Sequence, residues 1–275
     1  MSEHDPKNGG GGEQPSPLKS LQLAFLIAVG WLVATMVTLV ALAAIQAPLL
    51  GAGVAALAGL AAAYVVDQKV APDAPPLSTR LPTVQILVLS IIAALGFLIL
   101  ASEVDNVLES MSTAPPPIPM TPEGGLEVSP WEATFVVALS LVTISWVFNG
   151  LIARHLLTRF ERWTVVPMLG FWAGIMAEGL GHPLILVAPL FAFGAWLFAC
   201  TGSATVAALS TLPMPLLLSL MALGLAPNLP GFDVPSVDQV VYQPVWFDLL
   251  GAICVAVGVG GLLRVFSPPA SASPE

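Results

Sequence analysis

The first long apolar run of the chain, residues 21–45, reads LQLAFLIAVGWLVATMVTLVALAAI and contains no charged residue. About 20 helical residues cross the hydrocarbon core of a bilayer, so an uncharged run of this length is typical of a transmembrane helix. Further apolar runs follow along the chain. The predicted spans cover residues 21–45, 49–66, 84–101, 131–157, 164–180, 184–199, 203–225 and 245–266. The sequence therefore predicts an all-α fold, a polytopic membrane bundle of about eight transmembrane helices.

The composition supports a membrane protein over a soluble one. Hydrophobic residues make up 56% of the 275 residues and charged residues 9%, whereas a soluble domain usually carries about 25% charged residues. A polar tail with four consecutive glycines, residues 1–19, is expected to be disordered. Residues 20–266 form the predicted transmembrane domain, and residues 267–275 form a short polar tail. A net charge of −9 argues against nucleic acid as a partner, and the expected partner is the lipid bilayer.

The distribution of cations predicts the orientation of the chain. Lysine and arginine are enriched in the cytoplasmic loops of membrane proteins. With both termini in the cytoplasm, every cation of the sequence lies on the inner side: Lys7, Lys19, Lys69, Arg80, Arg154, Arg159, Arg162 and Arg264. The long loop 102–129 is then external, acidic and rich in proline. We therefore expect an N-in, C-in protein of a bacterial inner membrane.

Few polar side chains interrupt the predicted spans. Glu178 and His182 are four residues apart, a spacing that could hold a metal or relay a proton, but the glycines and proline around His182 favour two polar residues at the outer interface. Asn149 is expected to hydrogen-bond a neighbouring helix. No metal or cofactor motif is present in the sequence. The basic residues of the fourth loop are interpreted as an interfacial face: Arg154, His155, Arg159 and Arg162.

Proline interrupts the seventh predicted span. Pro213 and Pro215 lie inside its apolar run. A proline inside a helix removes a hydrogen bond and clashes with the preceding turn. The two residues are therefore expected to kink the span or to end a half-helix.

Residues 148–203 carry a resemblance to a known family. They include FNGLIARHLLTRFERW at 148–163 and GHPLILVAPLFAFGAWLFACTGS at 181–203. This stretch resembles the core of the CPBP family, the intramembrane proteases related to CAAX-processing and bacteriocin-processing (Abi-type) enzymes. The residues at matching places are Gly150, Leu151, Arg159, Phe160, Trp163, Thr201, Gly202 and Ser203. The resemblance implies the eight-helix fold of that family.

The family's catalytic positions are not kept in this chain. The alignment puts its paired glutamates on Ile144 and Ser145, its motif arginine on Asn149, its second-motif histidine in the window 177–179, and its third-motif histidine and partner on Thr211 and Pro215. The window holds Ala177 and Glu178. Peptide hydrolysis needs a base of suitable pKa, and the side chains at Ile144, Ser145, Ala177 and Thr211 supply none. Ser145, Ala177 and Thr211 nevertheless lie about 12–21 Å from the inner ends of their predicted helices, so all three approach the middle of the bilayer.

The resemblance thus implies an inactive homologue, a pseudoprotease that binds or scaffolds a membrane protein or peptide partner. Two alternatives stay open at this stage. The first is an active CPBP-type endopeptidase with a displaced site at Glu178 and His182. The second is a small-molecule transporter or a structural subunit of a membrane complex.

Overall fold

The computed structural model of the protein describes residues 16–43, 48–74, 76–111, 130–178, 184–223 and 242–267. Within these residues the fold is helical, and the only β-type pairing is a bridge between Ser78 and Ser203. The helices are α1 Pro17–Ala43, α2 Pro48–Val70, α3 Val84–Met111, α4 Pro130–Ser145, the π-helix Trp146–Ile152, α5 Ala153–Leu156, α6 Arg162–Glu178, α7 Leu184–Thr201, α8 Ala204–Leu209, α9 Pro213–Ala222 and α10 Val245–Phe266.

In the part of the chain that the structure describes, six helices are long and apolar enough to cross a membrane. This confirms the expected all-α bundle of apolar helices in an integral membrane protein. The six candidate spans are Pro17–Leu42, Gly51–Val70, Val84–Leu108, Thr134–Leu156, Leu184–Thr201 and Val245–Phe266.

The fifth and seventh predicted spans account for the difference from eight. Helix α6 has 17 residues with Pro167 inside it. The seventh predicted span is divided, because α8 ends at Leu209 and α9 begins at Pro213. Proline lacks the N–H that a continuous helix needs, so the expected interruption is confirmed. Eight crossings of the membrane remain a prediction.

Several boundaries differ from the sequence-based expectation. Helix α1 begins at Pro17, inside the tail predicted for residues 1–19, of which residues 1–15 lie outside the described part. Helix α2 continues past the expected end at residue 66 to Val70, so Asp67 is helical rather than part of a loop. Helix α3 continues to Met111 and carries Glu103 and Asp105. The rest of the acidic loop, residues 112–129, and residues 268–275 of the second tail lie outside the described residues.

Three pairs of helices in the bundle pack antiparallel. In α3 and α10, Gly251 lies against Ile99 and Gly261 against Leu89, so residue numbers rise along one helix as they fall along the other. Helices α1 and α2 form a second antiparallel pair, and α6 and α7 a third. The π-helix contacts both α1 and α7. At the centre of the bundle, the edge of the Trp31 ring packs on Phe148 at 5.8 Å between ring centroids.

The antiparallel packing gathers the described cations at one end of the bundle, which we call the basic end. Ser203 Oγ donates a hydrogen bond to the carbonyl of Arg80 at 2.7 Å, which joins the start of α8 to the segment before α3. Asp67 near the end of α2 contacts Arg154 of α5. The cations at this end are Lys19, Lys69, Arg80, Arg154, Arg159, Arg162 and Arg264. This geometry is the one that the inner-side rule requires, and the cytoplasmic location of this end remains a prediction.

Candidate functional site

A π-helix, Trp146–Ile152, interrupts the second half of the fourth span. The N–H of Ala153 donates to the carbonyl of Phe148, five residues earlier, and Asn149 lies in the middle of the widened turn. The residues Val147 to Ile152 are buried. Seven residues separate Asn149 from the end of the span at Leu156, about 10 Å along a helix axis. Segments of π-helix are rare and occur frequently at functional sites, so this turn is the first place to look for chemistry.

Asn149 is the centre of a buried polar cluster. Its Nδ2 donates to Ser145 Oγ at 3.1 Å. A Cβ atom built on Gly194 of α7 would lie 2.5 Å from Asn149 Nδ2 and 3.1 Å from Ser210 Oγ. The carboxamide and the serine hydroxyl therefore pack against the bare α-carbon of Gly194, and no larger residue fits there. We call Ser145, Asn149 and Ser210 the polar cluster; all three are fully buried.

The groups of the polar cluster are hydroxyls and a carboxamide. Ser210 Oγ donates to the carbonyl of Ala207 at 2.6 Å, and the neighbouring Thr211 Oγ1 donates to the carbonyl of Ala208 at 2.8 Å. Asn149 Oδ1 is buried and has no hydrogen-bond partner among the described residues. These side chains are uncharged at neutral pH, so the cluster can donate and accept hydrogen bonds but holds no carboxylate or imidazole.

The structure brings together part of the predicted site. Ser145 and Asn149 are bonded, and Ser210, the residue before Thr211, lies against the same glycine as Asn149. The hydrogen bond of Asn149 runs to its own helix segment, so the expected bond to a neighbouring helix is wrong in this respect. Four other predicted residues are buried as well. Ile144 lies on α4 and Ala177 on α6, both fully buried. Thr211 is buried between α8 and α9, and Pro215 is buried in the first turn of α9.

The structure gives no geometry for the second predicted site, the pair of Glu178 and His182. Glu178 is exposed at the end of α6. His182 lies outside the described residues, so the Glu178–His182 spacing stays a prediction. Among the described residues there is no group of three or more His, Cys, Asp and Glu side chains that could hold a metal ion.

A buried ionic cluster lies nearer the basic end, where the sequence predicted an interfacial basic face. The Asp67 carboxylate, completely buried, forms an ion pair with the Arg154 guanidinium, and its other oxygen lies 2.8 Å from His155 Nε2. Arg154 and His155 therefore point into the bundle, so the predicted face is wrong for these two residues. Arg162 is exposed and lies 5.0 Å from the ring centroid of Trp163. In the sequence, the sign of this ionic cluster was the position of Asp67, one acidic residue directly after an apolar run.

An apolar cavity opens on the flank of the bundle, beside the α8–α9 break. Its volume is about 630 Å³. Thr134 is the one residue with a polar side chain among those that line it, and its hydroxyl is hydrogen-bonded to that of Ser219. We call it the lateral cavity; its lining residues are Leu87, Ile91, Leu95, Thr134, Ala138, Leu209, Leu212, Pro213, Pro215, Leu216, Leu217 and Leu220.

Comparison with known proteins gives no relative for this arrangement. No protein-family model, no curated protein and no solved structure matches the chain. The features of the bundle that can indicate a function are therefore the polar cluster, the ionic cluster and the lateral cavity.

Proposed function

We propose that the protein is a catalytically silent integral membrane protein of the CPBP type, which binds an apolar membrane-embedded partner in the lateral cavity. The observation that carries the proposal is the lack of an acidic or basic side chain both in the polar cluster and at the positions that the resemblance singles out on α4 and between α8 and α9. At the positions where the resemblance expects glutamate and histidine, the buried side chains are Ile144, Ser145 and Thr211.

The hydrogen bonds of the cluster support a structural role for its polar groups. A serine becomes a nucleophile only when a neighbouring base accepts its proton. The neighbour of Ser145 is the Asn149 carboxamide, which donates to the serine oxygen. The hydroxyl of Thr211 is bonded to a helix carbonyl. These hydrogen bonds stay within their own helix segments, and Asn149 and Ser210 pack on Gly194 of α7. The arrangement provides no group that removes a proton from water.

The position of the lateral cavity supports the binding role. Leu212, Pro213 and Pro215 line it. Leu212 lies in the break between α8 and α9, next to Thr211, and the two prolines lie in the first turn of α9. Leu216 and Leu220 line it as well and keep 60% and 37% of their surface exposed. The cavity thus opens sideways, where a bilayer surrounds the bundle, and an apolar partner can enter it without crossing water.

A cleavage assay tests the silent character of the protein. The purified protein is reconstituted in liposomes with a mixture of membrane-spanning peptides, and products are read by mass spectrometry. We expect no cleavage above that of empty liposomes, and the same result for Glu178→Gln, because the polar cluster has no base.

The matched control is Glu132→Gln, which changes another exposed acid near a helix end. Cleavage by the wild-type protein that Glu178→Gln abolishes and Glu132→Gln retains would overturn the proposal. It would instead support the displaced site at Glu178 and His182.

A further inference from the structure

We propose that the occupant of the lateral cavity is one acyl chain of an anionic phospholipid, whose phosphate lies beside Arg80. This inference rests on the proposed binding role and names the chemistry of the partner. It follows from the volume of the cavity, the length of its wall and the charges at its two ends.

The volume of the cavity fits an acyl chain. A cavity of about 150 Å³ holds one benzene ring of six carbon atoms. The lateral cavity, at about 630 Å³, is about four times larger and by that comparison holds roughly two dozen carbon atoms. One acyl chain of a common membrane phospholipid has fewer carbon atoms than this, so the cavity can hold it.

The same dimensions argue against a transmembrane helix as the occupant. Leu87, Ile91 and Leu95 line the cavity from one face of α3 and extend about 12 Å along its axis. A helix about 10 Å in diameter would need roughly 900 Å³ over that length. The cavity is smaller than this, so a whole helix does not enter it, whereas a flexible chain does.

Arg80 lies next to the starts of two helices that line the cavity, α3 and α8, whose lining residues nearest to these starts are Leu87 and Leu209. Ser203 Oγ donates to the Arg80 carbonyl, and α8, which leads from Ser203 to Leu209, forms one wall. Helix α3 forms another wall; its first turn is capped by Thr83, three residues after Arg80. The Arg80 side chain is exposed. A guanidinium binds phosphate through two parallel hydrogen bonds, so a headgroup at the basic end of this apolar channel can meet the exposed Arg80 side chain.

The opposite end of the cavity does not suit an anionic headgroup. There the Thr134 hydroxyl is already bonded to Ser219. Glu132, two residues before Thr134, is exposed at the start of α4. A phosphate would be repelled at this end and attracted at the basic end, which sets the direction of the lipid.

Photo-crosslinking tests the inference. The full-length protein is reconstituted with a phospholipid that carries a diazirine at the middle of one acyl chain, with either a phosphatidylglycerol or a phosphatidylcholine headgroup. After illumination, labelled peptides are identified by mass spectrometry. We expect labels on α3, α4 and α9, and more label from the anionic lipid.

Two variants with matched controls decide the outcome. Arg80→Gln should lower labelling by the anionic lipid about fivefold, the contribution of one cation near an anionic surface, whereas Lys19→Gln, another exposed cation of the basic end, should not. Ala138→Trp fills the cavity and should remove the label from α9, whereas Ala252→Trp, on an exposed position of α10, should keep it. Labelling that is uniform over the bundle and unchanged by Arg80→Gln and Ala138→Trp would overturn the lipid inference. The crosslinking experiment does not measure peptide cleavage. Failure of the lipid inference is therefore distinguishable from failure of the proposed silent character, which the cleavage assay tests.

Discussion

The variant Asp67→Asn is expected to lose about 3–5 kcal/mol of stability, the usual cost of removing one partner from a buried ion pair. The Asp67 carboxylate is fully buried between Arg154 and His155. Asparagine keeps the shape of the side chain but removes the negative charge that balances the Arg154 guanidinium. The measurement is unfolding of the purified protein by titration with a denaturing detergent, followed by the circular dichroism of the helices.

The control for this variant is Asp73→Asn. Asp73 lies a few residues further along, exposed after the end of α2, and an exposed charge of this kind contributes little to stability. We expect the Asp73 variant to unfold like the wild type. Equal unfolding curves for the two variants would contradict the account of Asp67 as a buried link between α2 and α5.

The second large effect is expected at the contact between α3 and α10. A Cβ atom on Gly258 would lie 2.6 Å from the backbone nitrogen of Ala93 and 2.7 Å from the carbonyl oxygen of Leu89. Backbone atoms cannot turn away as a side chain can, so Gly258→Ala must push the two helices apart. We expect a loss of about 1–3 kcal/mol, as for other overpacked contacts, measured by the same detergent titration.

Gly260→Ala is the matched control, two residues further along the same helix. In the part of the chain that the structure describes, nothing lies within 4 Å of a Cβ atom at Gly260. Alanine is the better helix former by about 1 kcal/mol in exposed helices, so this variant should be as stable as the wild type or more stable. A destabilisation at Gly260 equal to that at Gly258 would show that α10 does not pack on α3 through this face.

The apolar runs of the sequence were sufficient to predict the helical membrane bundle, because span length depends only on local composition. Prediction of the interruption at Pro213 succeeded for a similar reason, since proline acts on its own helix. Boundaries were less predictable. Helix α2 continues through Asp67 because Arg154 of a distant segment forms an ion pair with the buried carboxylate and His155 lies within hydrogen-bond distance of it. No local sequence pattern contains that contact.

The candidate site was likewise only partly predictable from the sequence. The sequence singled out Asn149 and the neighbourhood of Thr211, and the structure places Asn149 and Ser210 against Gly194. The π-helix and the lateral cavity could not be predicted from the sequence. Both depend on how α3, α4, α7 and α9 pack, which is a property of the tertiary structure rather than of residue type. The relation to the CPBP family rests on the resemblance alone and remains a proposal.

The accessibility of residue 145 to water tests the central claim most directly, since proteolysis in the membrane requires water at the polar cluster. Cys200 and Cys254 are first replaced by alanine, and Ser145→Cys is introduced into that background, with Arg80→Cys as the exposed reference. A charged maleimide is added to both sides of the reconstituted protein. We expect labelling at residue 80 and none at residue 145, because Ser145 is completely buried. Rapid labelling at residue 145 would reveal a water-filled path to the cluster and contradict the silent, closed site.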